Sequence, residues 1–285
     1  MTTTVSRRSV LKTTCVLGAA VGGAGLVAAV PAQAQAQAAG APADRFFRDD
    51  WFGEPWRKPQ AVVLIHGALE SGIVWYAWVP ALAQHYRVVR PDLPGCGLSA
   101  VPAGFEWSFK GLAAYVASVL DKAGVDSAHI VGAKTGGPIA MQFAADFPQR
   151  TRSLAVISGP ASVISITNPS PVPQRDRLGS TASAEMIEYW TAMEKSAPVA
   201  GTQGLNVALS NFDLERDGVL QRIEAPSLIV TADKSALQSV EKVRKYQLAI
   251  RNSRLVVLNS DAYHVAVAKP NECVANVLAF ARENA

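Results

Sequence analysis

A lysine sits between two glycines in Val131-Gly132-Ala133-Lys134-Thr135-Gly136-Gly137, where an apolar β-prone run gives way to a helical pattern. A strand that turns sharply into a helix forces its central residue into a strained backbone, and flanking glycines remove the side chains that would clash there. An amine at such a turn can be a nucleophile, a Schiff-base former or a proton carrier, once it has lost its own proton. Free lysine titrates near 10.4, so at neutral pH well under about 0.1% of it is amine. Burial and the positive end of the following helix lower that value, provided no carboxylate lies within about 4–6 Å. The expectation is therefore a Lys134 almost fully buried, facing His264, with neither Asp233 nor Glu70 in direct contact.

Lys134 has two further readings. As a cation it can stabilise an anionic substrate or an oxyanion while water or His264 does the chemistry. Alternatively it plugs an unused pocket or binds a carboxylate ligand. Glu70, directly after Leu69, is a candidate acid, base or counter-ion, against the blander reading of a solvated loop carboxylate. Asp233 is a second candidate acid, and Asp261, three residues before His264, reads as a salt-linked surface group. The four histidines at 66, 85, 129 and 264 show no metal-ligand spacing, and the site as read calls for no cofactor. His85 and His129 read as exposed or packing residues. Trp75 and Tyr263 read as lining for a pocket or core.

These groups need a frame, and the chain supplies one by alternation. Ala61-Val62-Val63-Leu64-Ile65 is a continuous apolar run, as expected of a strand buried on both faces. Further strands are expected at 87–90, 128–131, 154–157, 227–230 and 255–258, with helices at 112–123 (stopped by Gly124), 138–147 and 271–285. Such alternation argues for an α/β fold with a mostly parallel sheet covered by helices on both sides. A Pro/Ser-rich stretch then interrupts it, with helical pieces at about 184–196 and 204–223. It reads as a small helical cap inserted at about 160–225 within a domain covering 45–285.

Four motifs in this order resemble the α/β-hydrolase superfamily across nearly all of 45–285. His66-Gly67-Ala68-Leu69, with Trp75 downstream, resembles the turn that supplies one oxyanion-hole amide, and Asp92-Leu93-Pro94-Gly95-Cys96-Gly97-Leu98-Ser99 resembles the loop after the next strand. Gly132-Ala133-Lys134-Thr135-Gly136 resembles the nucleophile elbow, whose central residue in that family is usually Ser, sometimes Cys or Asp. Tyr263-His264-Val265, followed by Pro270 and a terminal helix, resembles the catalytic-histidine loop. The resemblance implies oxyanion donors at the backbone amides of Leu69 and Thr135, a proton-carrying His264 and a structural His66. It also implies an acid about nine residues after Pro226, but that count lands on Ser235, with Asp233 two residues early. A Ser-His-Asp triad is thus not carried over. What the resemblance implies is an enzyme acting on a small carbonyl compound of ester, lactone or β-diketone type. The alternatives are a Schiff-base lyase at Lys134 and a non-catalytic binder of an anionic ligand. A Cys–His nucleophile at Cys96 is the least favoured reading.

The ends and the composition set the context. Ser6-Arg7-Arg8-Ser9-Val10-Leu11-Lys12 matches the twin-arginine export pattern, followed by an uncharged small-residue run at 15–30 and Ala-Gln repeats suited to cleavage. The expectation is a signal peptide at 1–38, export machinery as partner and a periplasmic or secreted protein with no stable membrane span after cleavage. That segment holds three cations and no acid, so the formal +4 falls to +1 without it. No basic stripe remains to suggest nucleic acid. Of the three cysteines, Cys15 leaves with the leader, and Cys96 and Cys273 read as small buried residues.

Overall fold

The computed structural model describes residues 44–163, 172–210 and 212–285; the expected leader lies outside them. Strands β1 (Phe47–Asp50), β2 (Ala61–Ile65), β3 (Arg87–Pro91), β4 (Ala128–Ala133), β5 (Thr151–Ile157), β6 (Ser227–Ala232) and β7 (Ser253–Leu258) form one sheet in the order β1-β3-β2-β4-β5-β6-β7. β1 runs antiparallel to β3, and every other neighbouring pair is parallel.

The central strands β2 and β4 are buried at every position because both faces of the sheet are covered there. Ala61, Val63 and Ile65 of β2 face one hydrophobic core, and Val62 and Leu64 face the other. Helices α2 (Phe109–Ala123) and α3 (Gly136–Asp146) close the first side, and α1 (Val79–Leu82) and α9 (Pro270–Glu283) close the second. Ser108 caps α2 by accepting from the Gly111 amide, and Gly124 ends it in the left-handed region at φ 64°.

Helices α4 (Gln174–Leu178), α5 (Ala184–Ser196) and α6 (Val199–Leu209) lie in the chain between β5 and β6. The helical piece expected at 204–223 is in fact α6, starting five residues earlier, followed by turns and a short 3-10 segment, Leu220–Arg222. Its glycines explain the early start. A Cβ on Gly201 would stand 2.2 Å from the Gly95 carbonyl oxygen, and one on Gly204 would enter the Trp107 ring at 2.0 Å. Gly201 and Gly204 thus let α6 lie directly against the loop after β3 and the Trp107 ring, and do not break the helix. Also not anticipated were β1 and α7 (Val240–Gln247). The remaining short helix, α8 (Val265–Ala268), carries His264 at its N-terminal edge.

Candidate active site

Every group singled out for chemistry, apart from Asp233 and Asp261, converges where β2, β4 and the segment after β7 end. Lys134 follows β4 with φ 54°, in the left-handed region that a side chain rarely occupies. The turn is possible because its neighbours are glycines. A Cβ on Gly132 would stand 2.1 Å from the Gly136 carbonyl oxygen, and one on Gly136 would stand 2.2 Å from that of Ile65. Leu69, at the turn after β2, is also left-handed, with φ 65°. Thr135 is the N-cap residue of α3, immediately after the lysine.

The Lys134 side chain does not hang free in a pocket. It lies over Gly67, where an added Cβ would meet its Cβ at 2.9 Å and its Cε at 3.1 Å. Its Nζ then donates to Glu70 Oε1 at 2.6 Å, while Glu70 Oε2 accepts from the Gly67 amide at 2.9 Å. Lys134 is 9% exposed and Glu70 8%, so this is a buried ion pair. Burial does match the sequence expectation, but the absence of a carboxylate contact does not. Sequence separation conceals the pair: Gly67 puts Glu70 back over the turn, and a lysine is long enough to reach it. Burial pulls the Lys134 pKa below its ordinary value, and the charge and hydrogen bond of Glu70 oppose that pull.

His264 is 2% exposed and shares a small cavity with Lys134, Glu70, Trp75 and Tyr263. Its backbone is held from two sides. Its own amide donates to the Arg177 carbonyl at 2.8 Å, and Trp78 Nε1 donates to the Ala266 carbonyl of α8 at 2.8 Å. Among the described residues neither ring nitrogen of His264 has a hydrogen-bond partner. Desolvation, followed by the positive charges of Lys134 and Arg177, holds its pKa well below 6.5.

Asp233 does not serve this histidine. Its Oδ1 accepts from the Ser260 amide at 2.8 Å, and its other oxygen lies 3.8 Å from Lys234 Nζ. Asp261 caps the Ser180 amide, consistent with a surface role. The shift in count from Pro226 to Ser235 therefore corresponds to a histidine with no carboxylate. His66 is structural: Nδ1 pairs with the Gly67 carbonyl at 2.7 Å and Nε2 accepts from the Leu93 amide at 3.0 Å. His129 bridges Ser153 and Gln60, and His85 is exposed. Cys96 is buried and its thiol is pushed up to about 12 by desolvation, which makes it inert; Cys96 and Cys273 are unpaired. Two residues near the site went unread in the sequence. Arg177, from α4, acts by charge on Lys134, His264 and Tyr263, and Ser158, at φ 47°, buries an unpartnered hydroxyl just after β5. Neither lies in a recognisable motif.

Free space at the site is limited. The cavity beside Lys134 and His264 amounts to about 10 Å³, room for about one water. On the other side of Glu70 a groove of about 170 Å³ runs between Leu69, Cys96 and the α5–α6 residues Met193, Pro198 and Thr202. Glu70 lines both spaces.

A family model for the alpha/beta hydrolase fold matches residues 60–204, just over half of the chain. The chain belongs to the alpha/beta hydrolase fold family. The family's sheet explains why the site collects at the strand ends, and its elbow explains the backbone at Lys134. Among curated relatives, a 2-hydroxy-6-oxo-2,4-heptadienoate hydrolase of Pseudomonas putida is 34% identical over 99 residues, 34% of this chain and 36% of that protein. A pimeloyl-[acyl-carrier protein] methyl ester esterase of Aeromonas hydrophila is 40% identical over 97 residues, 34% of this chain and 37% of that protein. These matches span about a third of either relative's length. Among solved structures, the enol-lactonase from Burkholderia xenovorans LB400 superposes with a TM-score of 0.69 at 20% identity, covering 84% of this chain and 96% of that one. These family relatives are hydrolases of esters and oxo-dienoates.

The buried histidines make the fold acid-sensitive. His66 and His264 are held below 6.5 and His129 is lowered to about 4, in each case chiefly by desolvation. Below pH 6.5 the unfolded chain therefore binds more protons than the folded one. Stability contributed by these neutral rings is complete above about 6.5 and lost as pH falls towards the folded values. Melting temperature should thus be level from pH 8 to about 7 and fall steadily towards pH 4.5. His129→Asn should recover on the order of 1–3 kcal/mol of that loss. A flat profile from pH 7 to 4.5 would contradict the assignment.

Among the described residues no helix is long and apolar enough to cross a membrane, and no cluster suits a metal ion.

Proposed function

We propose that this chain is an exported hydrolase of small carbonyl compounds, of ester, lactone or β-diketone type, with Lys134 at the elbow and His264 as proton carrier. The observation that carries the reading is the left-handed Lys134 facing His264 across one cavity, on a turn that glycines keep open. The twin-arginine pattern at 6–12 supports export.

The ion pair with Glu70 favours a charge role for Lys134 over a free nucleophile. In this reading His264, neutral at working pH, takes a proton from a water as the oxygen attacks the substrate carbonyl. The oxyanion forms against the Leu69 and Thr135 amides, with the Lys134 ammonium beside it. As the tetrahedral centre collapses, the bond to the leaving group breaks, and His264 returns its proton to that group. Water has then been split across the cleaved bond. Without a carboxylate on His264, and with Lys134 and Arg177 opposing its protonation, the base is weak. Turnover is accordingly slow and its acid limb lies well below pH 6.5. The substrate enters from the groove under α5 and α6, with Glu70 moving aside to join it to the inner cavity.

Lys134→Ala and His264→Ala should each lower turnover at least about a hundredfold in a screen of esters, lactones and β-diketones. Unchanged rates in both variants would sink the reading. A second reading is a Schiff-base lyase, favoured by the burial that pulls the Lys134 pKa below its ordinary value and opposed by the 2.6 Å contact with Glu70. Transfer of one proton from Nζ to the carboxylate gives a neutral amine beside a neutral acid, the state a carbonyl adduct needs. Borohydride in the presence of a ketone or aldehyde substrate separates the two. A reduced adduct mapped to Lys134 supports the lyase, and a water-dependent product without trapping supports hydrolysis.

A further inference from the structure

The site uses the ends of the parallel strands, but a wide concavity lies at their beginnings. A groove of about 610 Å³ runs past the starts of β2 and β3 and the segment leading into β4, lined by Trp51, Arg57, Lys58, Arg87, Asp126 and Arg152. Four cations there face one acid. Arg87 is held by Asp49 and Arg57 by Glu54, each at 2.6 Å, but Lys58 and Arg152 have no ion pair among the described residues.

Beside this groove the 51–59 loop presents large apolar groups to solvent. Phe52 is 60% exposed and Trp56 78%. The loop is folded upon itself: the Trp51 ring lies over Gly53, where a Cβ would stand 2.0 Å away, and its Nε1 donates to the Glu54 carbonyl at 3.1 Å. Trp51 thus braces the loop while Phe52 and Trp56 point outward. A stiff loop that exposes Trp and Phe next to unpaired Lys and Arg suits the boundary between lipid headgroups and acyl chains. There an indole or phenyl leaves water while cations meet phosphates.

We propose that the 51–59 loop and the adjoining basic groove form a docking face for an anionic lipid surface, with lipid phosphates at Lys58 and Arg152 and the Phe52 and Trp56 rings in the interface. Because this face lies at the opposite end of the strands from Lys134 and His264, a docked molecule keeps its site turned away from the lipid. The proposal is independent of what reaction the site performs.

The test is co-sedimentation of the full chain with phosphatidylcholine vesicles, with and without phosphatidylglycerol. Any binding by the leader is common to all variants and forms the baseline. The parent should bind the anionic vesicles, leave them as salt rises, and bind pure phosphatidylcholine weakly. Lys58→Glu/Arg152→Glu should weaken binding about twentyfold or more, and Phe52→Ser/Trp56→Ser at least about tenfold. Unchanged melting temperatures would show both variants folded. Equal binding by parent and variants, or equal binding to both vesicle types, overturns the proposal. So does release of the parent by millimolar inorganic phosphate at constant ionic strength, which would mark a site for a soluble anion.

Discussion

Glu70→Gln should destabilise the protein by about 3–5 kcal/mol, whereas Glu70→Gln combined with Lys134→Met should restore most of that loss. Both partners are over nine-tenths buried, and Nζ lies 2.6 Å from the carboxylate oxygen. Removing the carboxylate leaves an ammonium in an apolar surround beside Trp75, Val74 and Ile157, which line the same cavity. A buried charge without its partner costs several kcal/mol, whereas deleting both charges removes the desolvation penalty together with the attraction. Methionine keeps the length of the lysine stem and fills the path over Gly67. Urea denaturation of the parent, both single variants and the double variant gives the coupling directly. The result also discriminates between the two chemistries. If Glu70→Gln proves as stable as the parent, Lys134 was already neutral in the fold, and the charge role loses to the amine.

The backbone of this site was far more legible in the sequence than its wiring. Gly132 and Gly136 announced the turn because a left-handed residue packed against two carbonyl groups leaves no room for a neighbouring Cβ. That requirement is local and shows as composition. The apolar runs of β2 and β4 were legible for the same reason, since burial on both faces demands apolar residues at every position. Glu70 was visible as a residue, but its direction was not. Whether it turns outward or onto Lys134 depends on the Gly67 amide and on a side chain 64 positions away. Asp233 failed as the histidine's acid because the Ser260 amide claims its carboxylate, a bond between two loops that no spacing rule encodes. Arg177 stayed hidden because its charge reaches the site through the fold of α4 against α8. The edge strand β1, Phe47-Arg48-Asp49-Asp50, carried too few apolar residues to stand out, and its charges prove to be pairing groups for Arg87 and Arg90.

The three glycines around Lys134 should respond differently to alanine, because different atoms stand in the way. Gly136→Ala places its Cβ 2.2 Å from the Ile65 carbonyl oxygen and 2.7 Å from that of His66, both backbone atoms at the end of β2. Gly132→Ala meets the Gly136 carbonyl oxygen at 2.1 Å. Neither obstacle can rotate aside, so the strand end or the start of α3 must shift. The expected cost is about 4 kcal/mol or more, large against the few kcal/mol by which a domain is stable. Gly67→Ala meets side chains instead, Lys134 at 2.9 Å and Glu70 Oε2 at 3.1 Å. The 2.9 Å contact is with the Lys134 Cβ, which follows the backbone and must shift slightly, but the Lys134 Cε and Glu70 Oε2 ends at 3.1 Å can yield, and what they yield is the contact between them. Gly67→Ala should therefore cost roughly 1–2 kcal/mol but shift Lys134 off Glu70, with an activity loss approaching that of Lys134→Ala. The discriminating measurement is denaturation of all three variants beside turnover on whichever substrate the screen finds. If Gly67→Ala is as destabilised as Gly136→Ala, the lysine is locked in place by the fold. If it is stable and fully active, the position of Lys134 over Gly67 has no part in catalysis.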